Sequence, residues 1–181
     1  MKKLFTAIIL IILVSGVTKA SGSIIEIKGQ YFYPTEKAFR DIYSGGLMYG
    51  GEISIGIWKN FGIWFGGSYF SKKGKLTFTK EETKLQIMPI GGGLKCRGSI
   101  GAFNFYVDLG LDYYQFKESN PIGDVNKNGL GYVGKIGSYI KLKGGLLIDL
   151  YADYSSCKIK PVDIKIDIGG FAVGIGLGYE F

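Results

Sequence analysis

The sequence predicts an all-β protein, a closed antiparallel up-and-down transmembrane β-barrel of eight strands. Three observations carry that expectation. From residue 23 onward, large apolar side chains recur at every second position, the period of a strand and not of a helix. The positions between them hold glycine, alanine or charge, the inverse of a soluble sheet, whose outward face is polar and well solvated. Short and long gaps alternate between the segments, as they do where one rim carries tight turns and the other carries loops.

The first element is not part of that fold. Lys2 and Lys3 precede an apolar run over 4–14 in which only Thr6 is polar, and Val17-Thr18-Lys19-Ala20 ends it with small residues. This is the layout of a secretory signal, with cleavage expected after Ala20, so residues 1–20 are assigned to the signal and 21–181 to the barrel. The run is shorter than the ~20 apolar residues a spanning helix needs, and no cysteine follows it directly to carry a lipoprotein anchor. Three of the bases behind the formal charge of +7 lie in the signal (Lys2, Lys3, Lys19), leaving an excess of four. That modest charge, with no basic stripe, gives no indication of nucleic acid.

Strands are predicted near 23–33, 46–58, 61–72, 83–97, 101–115, 130–142, 146–156 and 168–181. In the first, Ile25 and Ile27 oppose Glu26 and Lys28. In the second, Leu47, Tyr49, Ile53, Ile55 and Ile57 oppose Glu52 and Ser54. The fifth sets Phe103, Phe105, Val107, Leu109, Leu111 and Tyr113 against Asn104, Tyr106, Asp108, Gly110 and Asp112. The seventh sets Leu146, Ile148, Leu150, Ala152 and Tyr154 against Asp149, Tyr151 and Asp153. The last is the clearest: Phe171, Val173, Ile175, Leu177, Tyr179 and Phe181 alternate with glycine, Ala172 and Glu180. Small residues on its inward face suit a narrow bore that must admit long side chains from neighbouring strands.

Short turns are expected at Lys59-Asn60, Gly98-Ser99 and Lys143-Gly144-Gly145, and long loops at 34–45, 73–82, 116–129 and 157–167. An even strand count puts both chain ends on one side, the periplasmic one, and closure removes exposed edges. Within the first loop, Phe39, Ile42 and Tyr43 have helix-like spacing and predict a short cap over the mouth. Aromatic residues near strand ends (Tyr31, Tyr33, Trp58, Phe61, Trp64, Tyr113, Tyr114, Tyr132, Tyr154, Tyr179, Phe181) are assigned to interfacial girdles.

The same register points Glu26, Lys28, Glu52, Lys95, Arg97, Asp108, Asp112, Lys135, Lys141, Asp149, Asp153 and Glu180 into the lumen. With Lys59 and Lys143 in the turns, acids and bases balance over strands and turns. The expected arrangement is an ion-pair network filling the bore, since isolated buried charge costs several kcal/mol; a water path or gate is the alternative. The loop excess gathers at Lys72, Lys73, Lys75, Lys80 and Lys84, facing only Glu81 and Glu82. Simple solvated charge accounts for it, as does contact with the phosphates of lipopolysaccharide.

Several chemistries are excluded. The chain has no histidine, which removes histidine triads and HExxH zinc sites. Gly91-Gly92-Gly93 lies in a strand pattern without the Gly-Lys-Ser/Thr ending of a phosphate loop. No cofactor is expected. Cys96 and Cys157 fall at opposite rims, beyond the ~7 Å reach of a disulfide, and are expected to be free.

The closing Gly178-Tyr179-Glu180-Phe181 resembles the terminal aromatic signature of outer-membrane proteins, so Tyr179 and Phe181 are the residues a barrel-assembly machinery would recognise. The stretch from Ile87 through Met88-Pro89-Ile90 to Leu94, and that from Phe105 through Asp108 and Leu111 to Tyr114, are similar to middle strands of the small OmpA-, OmpX- and OmpW-like barrels. In many relatives the second stretch runs closer to Pro-Tyr-x-Gly-x-Gly, from which this chain departs. The resemblance implies residence in the bacterial outer membrane, with membrane lipid as partner. It implies no single activity. An OmpA- or OmpX-like member would be a plugged barrel acting structurally or through its loops, here without a tethering domain after the barrel. An OmpW-like member would pass small hydrophobic compounds, with Phe32, Trp64, Phe70, Tyr106 and Phe116 as candidate lining. The outer-membrane barrel enzymes of the lipase, omptin, deacylase and palmitoyltransferase kinds work through histidine, so no enzyme of those kinds is expected.

Overall fold

The computed structural model describes residues 22–75, 81–100, 103–121, 123–160 and 165–181. The assigned signal segment lies outside these residues. Eight long strands close into a ring: β1 (Ile24–Pro34), β2 (Gly46–Trp58), β3 (Phe61–Lys75), β4 (Glu82–Ile100), β5 (Phe103–Asn120), β6 (Gly123–Lys141), β7 (Leu146–Ser156) and β10 (Gly170–Glu180). Every neighbouring pair is antiparallel, and each joins consecutive long strands of the chain apart from the seam where β1 meets β10. That seam runs from Ile24 opposite Glu180 to Pro34 opposite Gly170.

The alternation of the sequence is the alternation of the wall. Ile27, Leu47, Leu94, Leu109, Leu130, Val173 and Leu177 are more than half exposed on the outside, while Glu26, Trp64, Lys95, Asp108 and Asp149 are buried inside. Two aromatic rows border the outer band. Trp58, Phe61, Tyr179 and Phe181 mark the turn end, and Tyr31, Tyr33, Tyr49, Tyr113, Tyr132, Tyr154 and Phe171 mark the loop end. Trp64 and Tyr114, expected among them, point inward and are 2% and 3% exposed. Their positions share parity with the lumen residues, and parity overrides nearness to a strand end.

Inward glycines make the room that the narrow bore needs. A β-carbon at Gly110 would lie 2.5 Å from Cζ2 of Trp64, and one at Gly137 would lie 2.6 Å from the Tyr106 ring.

Three boundaries differ from expectation at the loop end. β3 and β4 stay paired to Lys75 opposite Glu82, and β5 and β6 to Asn120 opposite Gly123. Most of the expected third loop is therefore strand, and β3–β6 rise as a wall above the rest of the rim. The fourth loop carries a two-stranded ribbon, β8 (Lys158–Ile159) with β9 (Ile166–Asp167). It is held by Asp167, whose carboxylate accepts from the N–H groups of Cys157 and Gly169, both at 2.9 Å. At the turn end, Gly98 and Ser99 belong to β4 instead of forming a turn. A β-carbon at Gly98 would meet the ring of Phe105 at 2.4 Å, so this glycine seats an aromatic from the next strand.

The predicted cap is present as helix α1 (Lys37–Tyr43), which buries Phe39 and Tyr43. The Tyr43 hydroxyl donates to Glu118 at 2.6 Å and contacts the Thr83 hydroxyl at 2.8 Å. Burial and that carboxylate push its ionisation upward, so the phenol stays neutral and keeps donating at alkaline pH. Cys96 and Cys157 are free.

Replacing Gly110 with valine is expected to leave no space for Trp64 and to destabilise the barrel by about 1–3 kcal/mol. The midpoint of the heat-dependent shift between folded and unfolded bands on a gel measures it. A midpoint equal to wild type would show that Trp64 has another place to go.

Candidate functional site: the filled lumen

The interior is stratified along the axis. Toward the turn end, Ile24, Tyr106, Tyr139 and Leu147 pack together, with Tyr151 joining them from the level of the cavity. At mid-height lies the charged layer. Above it is a cavity, and the loop end is closed by an apolar ceiling that includes Phe32, Phe39, Met48, Phe70, Ile87 and Phe116.

Glu52 on β2 is the hub of the charged layer. Lys95 reaches its Oε1 at 2.7 Å, Lys28 reaches Oε2 at 3.1 Å, and Lys135 bonds the same oxygen. Lys28 also lies 3.2 Å from Asp149 and 3.7 Å from Glu26, and Lys95 lies 3.3 Å from Asp108. These side chains come from six strands, β1, β2, β4, β5, β6 and β7, so the network crosses the bore and does not follow one wall. Exposure of the lysine side chains is 0% to 10%, and of their acid partners 0% to 2%.

Tyrosines add hydrogen bonds to this layer, while both oxygens of Asp108 and one oxygen each of Glu26 and Asp149 have no hydrogen-bond partner among the described residues. Tyr106 donates to Asp149 at 2.8 Å, and Tyr139 accepts from Lys95 at 2.9 Å while reaching Glu26 at 3.4 Å. The Lys95 ammonium also sits 4.2 Å from the Tyr106 ring centre, that of Lys28 4.6 Å from Tyr151, and that of Lys135 3.8 Å from Trp64. Such face contacts stabilise a desolvated cation by ~2 kcal/mol. Tyr139 carried no mark in the sequence as a network member, although its parity with Lys135 and Lys141 places it inward.

The other assigned residues are placed differently. Asp112 and Asp153 lie toward the cavity, with no ion-pair partner within 4.0 Å among the described residues. Among the described residues Arg97 meets no carboxylate; it donates to the Ser54 hydroxyl at 2.6 Å and to the carbonyl of Gly22, tying the segment before β1 to the turn end. Lys141 and Glu180 pair at 2.7 Å on the turn-end rim, where they are 48% and 26% exposed. The mid-lumen layer is therefore acid-rich, with Glu26, Glu52, Asp108 and Asp149 around three lysines, and the balance expected for the whole set does not hold at this level.

The cavity above this layer measures about 70 Å³ and touches Gln30, Glu52, Trp64, Asp112, Lys135 and Asp153. A water needs roughly 10–15 Å³ and drug-sized ligands roughly 300–1,000 Å³. The space suits a few waters beside polar groups and is too small for a large solute. Beside it the β3–β4 ladder is interrupted: pairing runs to Gly67 opposite Ile90 and resumes at Phe70 opposite Ile87. Pro89, which has no N–H to donate, sits in the gap.

No family model and no curated protein matches the chain. Solved structures do. OprG, an outer-membrane protein of Pseudomonas aeruginosa, superposes with a TM-score of 0.66 at 14% identity, covering 90% of this chain and 97% of that one. Neisserial surface protein A gives 0.65 at 10% identity over 88% and 97%. Ail, the attachment invasion locus protein of Yersinia pestis, gives 0.55 at 15% identity over 89% and 99%. The chain has the fold of the small eight-stranded outer-membrane barrels. At these identities the likeness is one of architecture, as the OmpA-, OmpX- and OmpW-like signatures imply, and these barrels carry diverse roles.

Glu52→Ala leaves three lysines without their shared acceptor, and is expected to lower stability by about 3–5 kcal/mol. Glu180→Ala, breaking a rim pair open to solvent, is expected to cost at most about 1 kcal/mol. Equal urea unfolding midpoints for the two variants in detergent micelles would contradict the network's central place.

Proposed function

We propose that this protein is an outer-membrane barrel closed along its axis, acting in a non-catalytic, structural or adhesive role through the wall and cap at its loop end. The observation that carries this reading is the Glu52 network, which bridges the bore at mid-height with nearly solvent-free side chains. A second barrier, the apolar ceiling under α1, lies above it. The loop end, by contrast, carries the built features: a wall of four strands, a helix and a ribbon. Ail, named for attachment, has been solved in complex with the heparin analogue sucrose octasulfate, and an adhesive role here would likewise use the outer end. The refolded mature protein in a planar bilayer is expected to show no conductance steps. Reproducible steps from the folded species would overturn the closed-axis reading and make the Glu52 network a gate.

A second reading, sideways passage of small apolar compounds, is favoured by one observation, the break in the β3–β4 ladder at Pro89 beside the cavity. Under it, Pro89→Val would restore a ladder donor and slow transfer of a small apolar dye across liposomes severalfold. Equal rates for the variant, the wild type and protein-free liposomes would remove this reading.

A further inference from the structure

Above the loop-end aromatic row, the outward face of the β3–β6 wall changes character. Upward from Tyr69 it reads Ser71, Lys73 and Lys75 on β3; above Met88 it reads Gln86, Lys84 and Glu82 on β4. Above Tyr113 it reads Gln115, Lys117 and Ser119 on β5. Lys73 stands directly opposite Lys84, and Lys117 directly opposite Gln86. Opposed residues of an antiparallel pair lie ~4.5–5.5 Å apart, and like charges so placed repel. All three lysines are exposed. None has an ion-pair partner among the described residues. Glu118, the acid nearest in sequence to Lys117, faces inward and is engaged by Tyr43. Glu82 and Asp124 are the acids on this face, opposite Lys75 and Ser119.

We propose that Lys73, Lys84 and Lys117 form a binding face for the phosphates of outer-leaflet lipid. This deepens the reading above and rests on its placing the loop end outside. The direction of the face decides the source of the phosphate. These lysines share parity with Phe65, Ile90 and Leu111, so they continue the lipid-facing band and look sideways at neighbouring lipid, not upward into solution. Their height fits as well: Lys73 and Lys117 each stand two same-face positions above a tyrosine of their strand, Tyr69 and Tyr113, and tyrosines mark the headgroup level. Gln86, which donates to the Tyr69 hydroxyl at 2.5 Å, links the tyrosine row to the lysine row. An anion between Lys73 and Lys84 would turn a repulsive cross-strand pair into a shared contact.

The test is retention of bisphosphorylated lipid A by the mature barrel in phosphatidylcholine nanodiscs, compared with dephosphorylated lipid A. Wild type is expected to retain the phosphorylated form selectively, less so in high salt. The K73Q/K84Q/K117Q variant is expected to bind it more weakly by roughly fivefold per lysine, on the order of a hundredfold together. K59Q/K143Q, altered only at the turn end, is expected to match wild type. Equal retention by the triple variant, or of the dephosphorylated lipid, would overturn the proposal. So would loss of sucrose octasulfate binding with lipid A retention intact, which would assign the patch to a soluble polyanion. The assay is indifferent to conductance: a conducting barrel that still selects lipid A would sink the closed-axis reading and leave this one standing.

Discussion

Eight strands enclose a bore so narrow that side chains must fill it, and in this chain the filling is ionic. The constraint that follows is severe. A carboxylate or ammonium inside the wall has no bulk water to turn to, so each needs a complement nearby, and most of those complements come from another strand. Glu52 meets it by serving three lysines at once. The glycines of β10 and the stacked rings of Tyr106 and Tyr139, 4.8 Å between centres, are best understood from this centre. Gly174 gives way to the Tyr151 ring and Gly176 to Asp149, so small residues on one strand are the imprint of long ones on the next.

The interior thereby combines two kinds of barrier with opposite physics. The ionic layer is held by directional contacts in a medium of low polarity, where removing one partner strands the others. The ceiling under α1 is held by apolar burial, which is non-directional and tolerates rearrangement. A loop-end ligand could shift the second without disturbing the first.

Much of this was legible in the sequence because lipid imposes a strict period. Wherever one face met hydrocarbon, alternation told inside from outside, and the ring order followed from short turns. Legibility failed where that pressure stops. Asn126, Lys127 and Asn128 look like loop, yet they are strand, because above the hydrocarbon both faces of a hairpin can be polar. Gly98-Ser99 has turn chemistry, but its glycine answers to Phe105. For the charges, parity gave the side and not the depth: Lys141 and Glu180 have lumen parity and sit at the rim. Which carboxylate would become the hub depended on where six strands bring their lysines, and no spacing within one strand records that.

The seam between β1 and β10 has a consequence for how the molecule is made. The strand nearest the start of the described chain has its final partner at the very end, with Ile24 opposite Glu180. Until β10 docks, β1 and β7 each carry an open row of backbone donors and acceptors, which hydrocarbon does not tolerate. The chain therefore cannot enter a bilayer hairpin by hairpin and be stable at each stage. Insertion and closure belong to one concerted event, paced by its most distant contact, and any truncated product would remain a substrate for proteases.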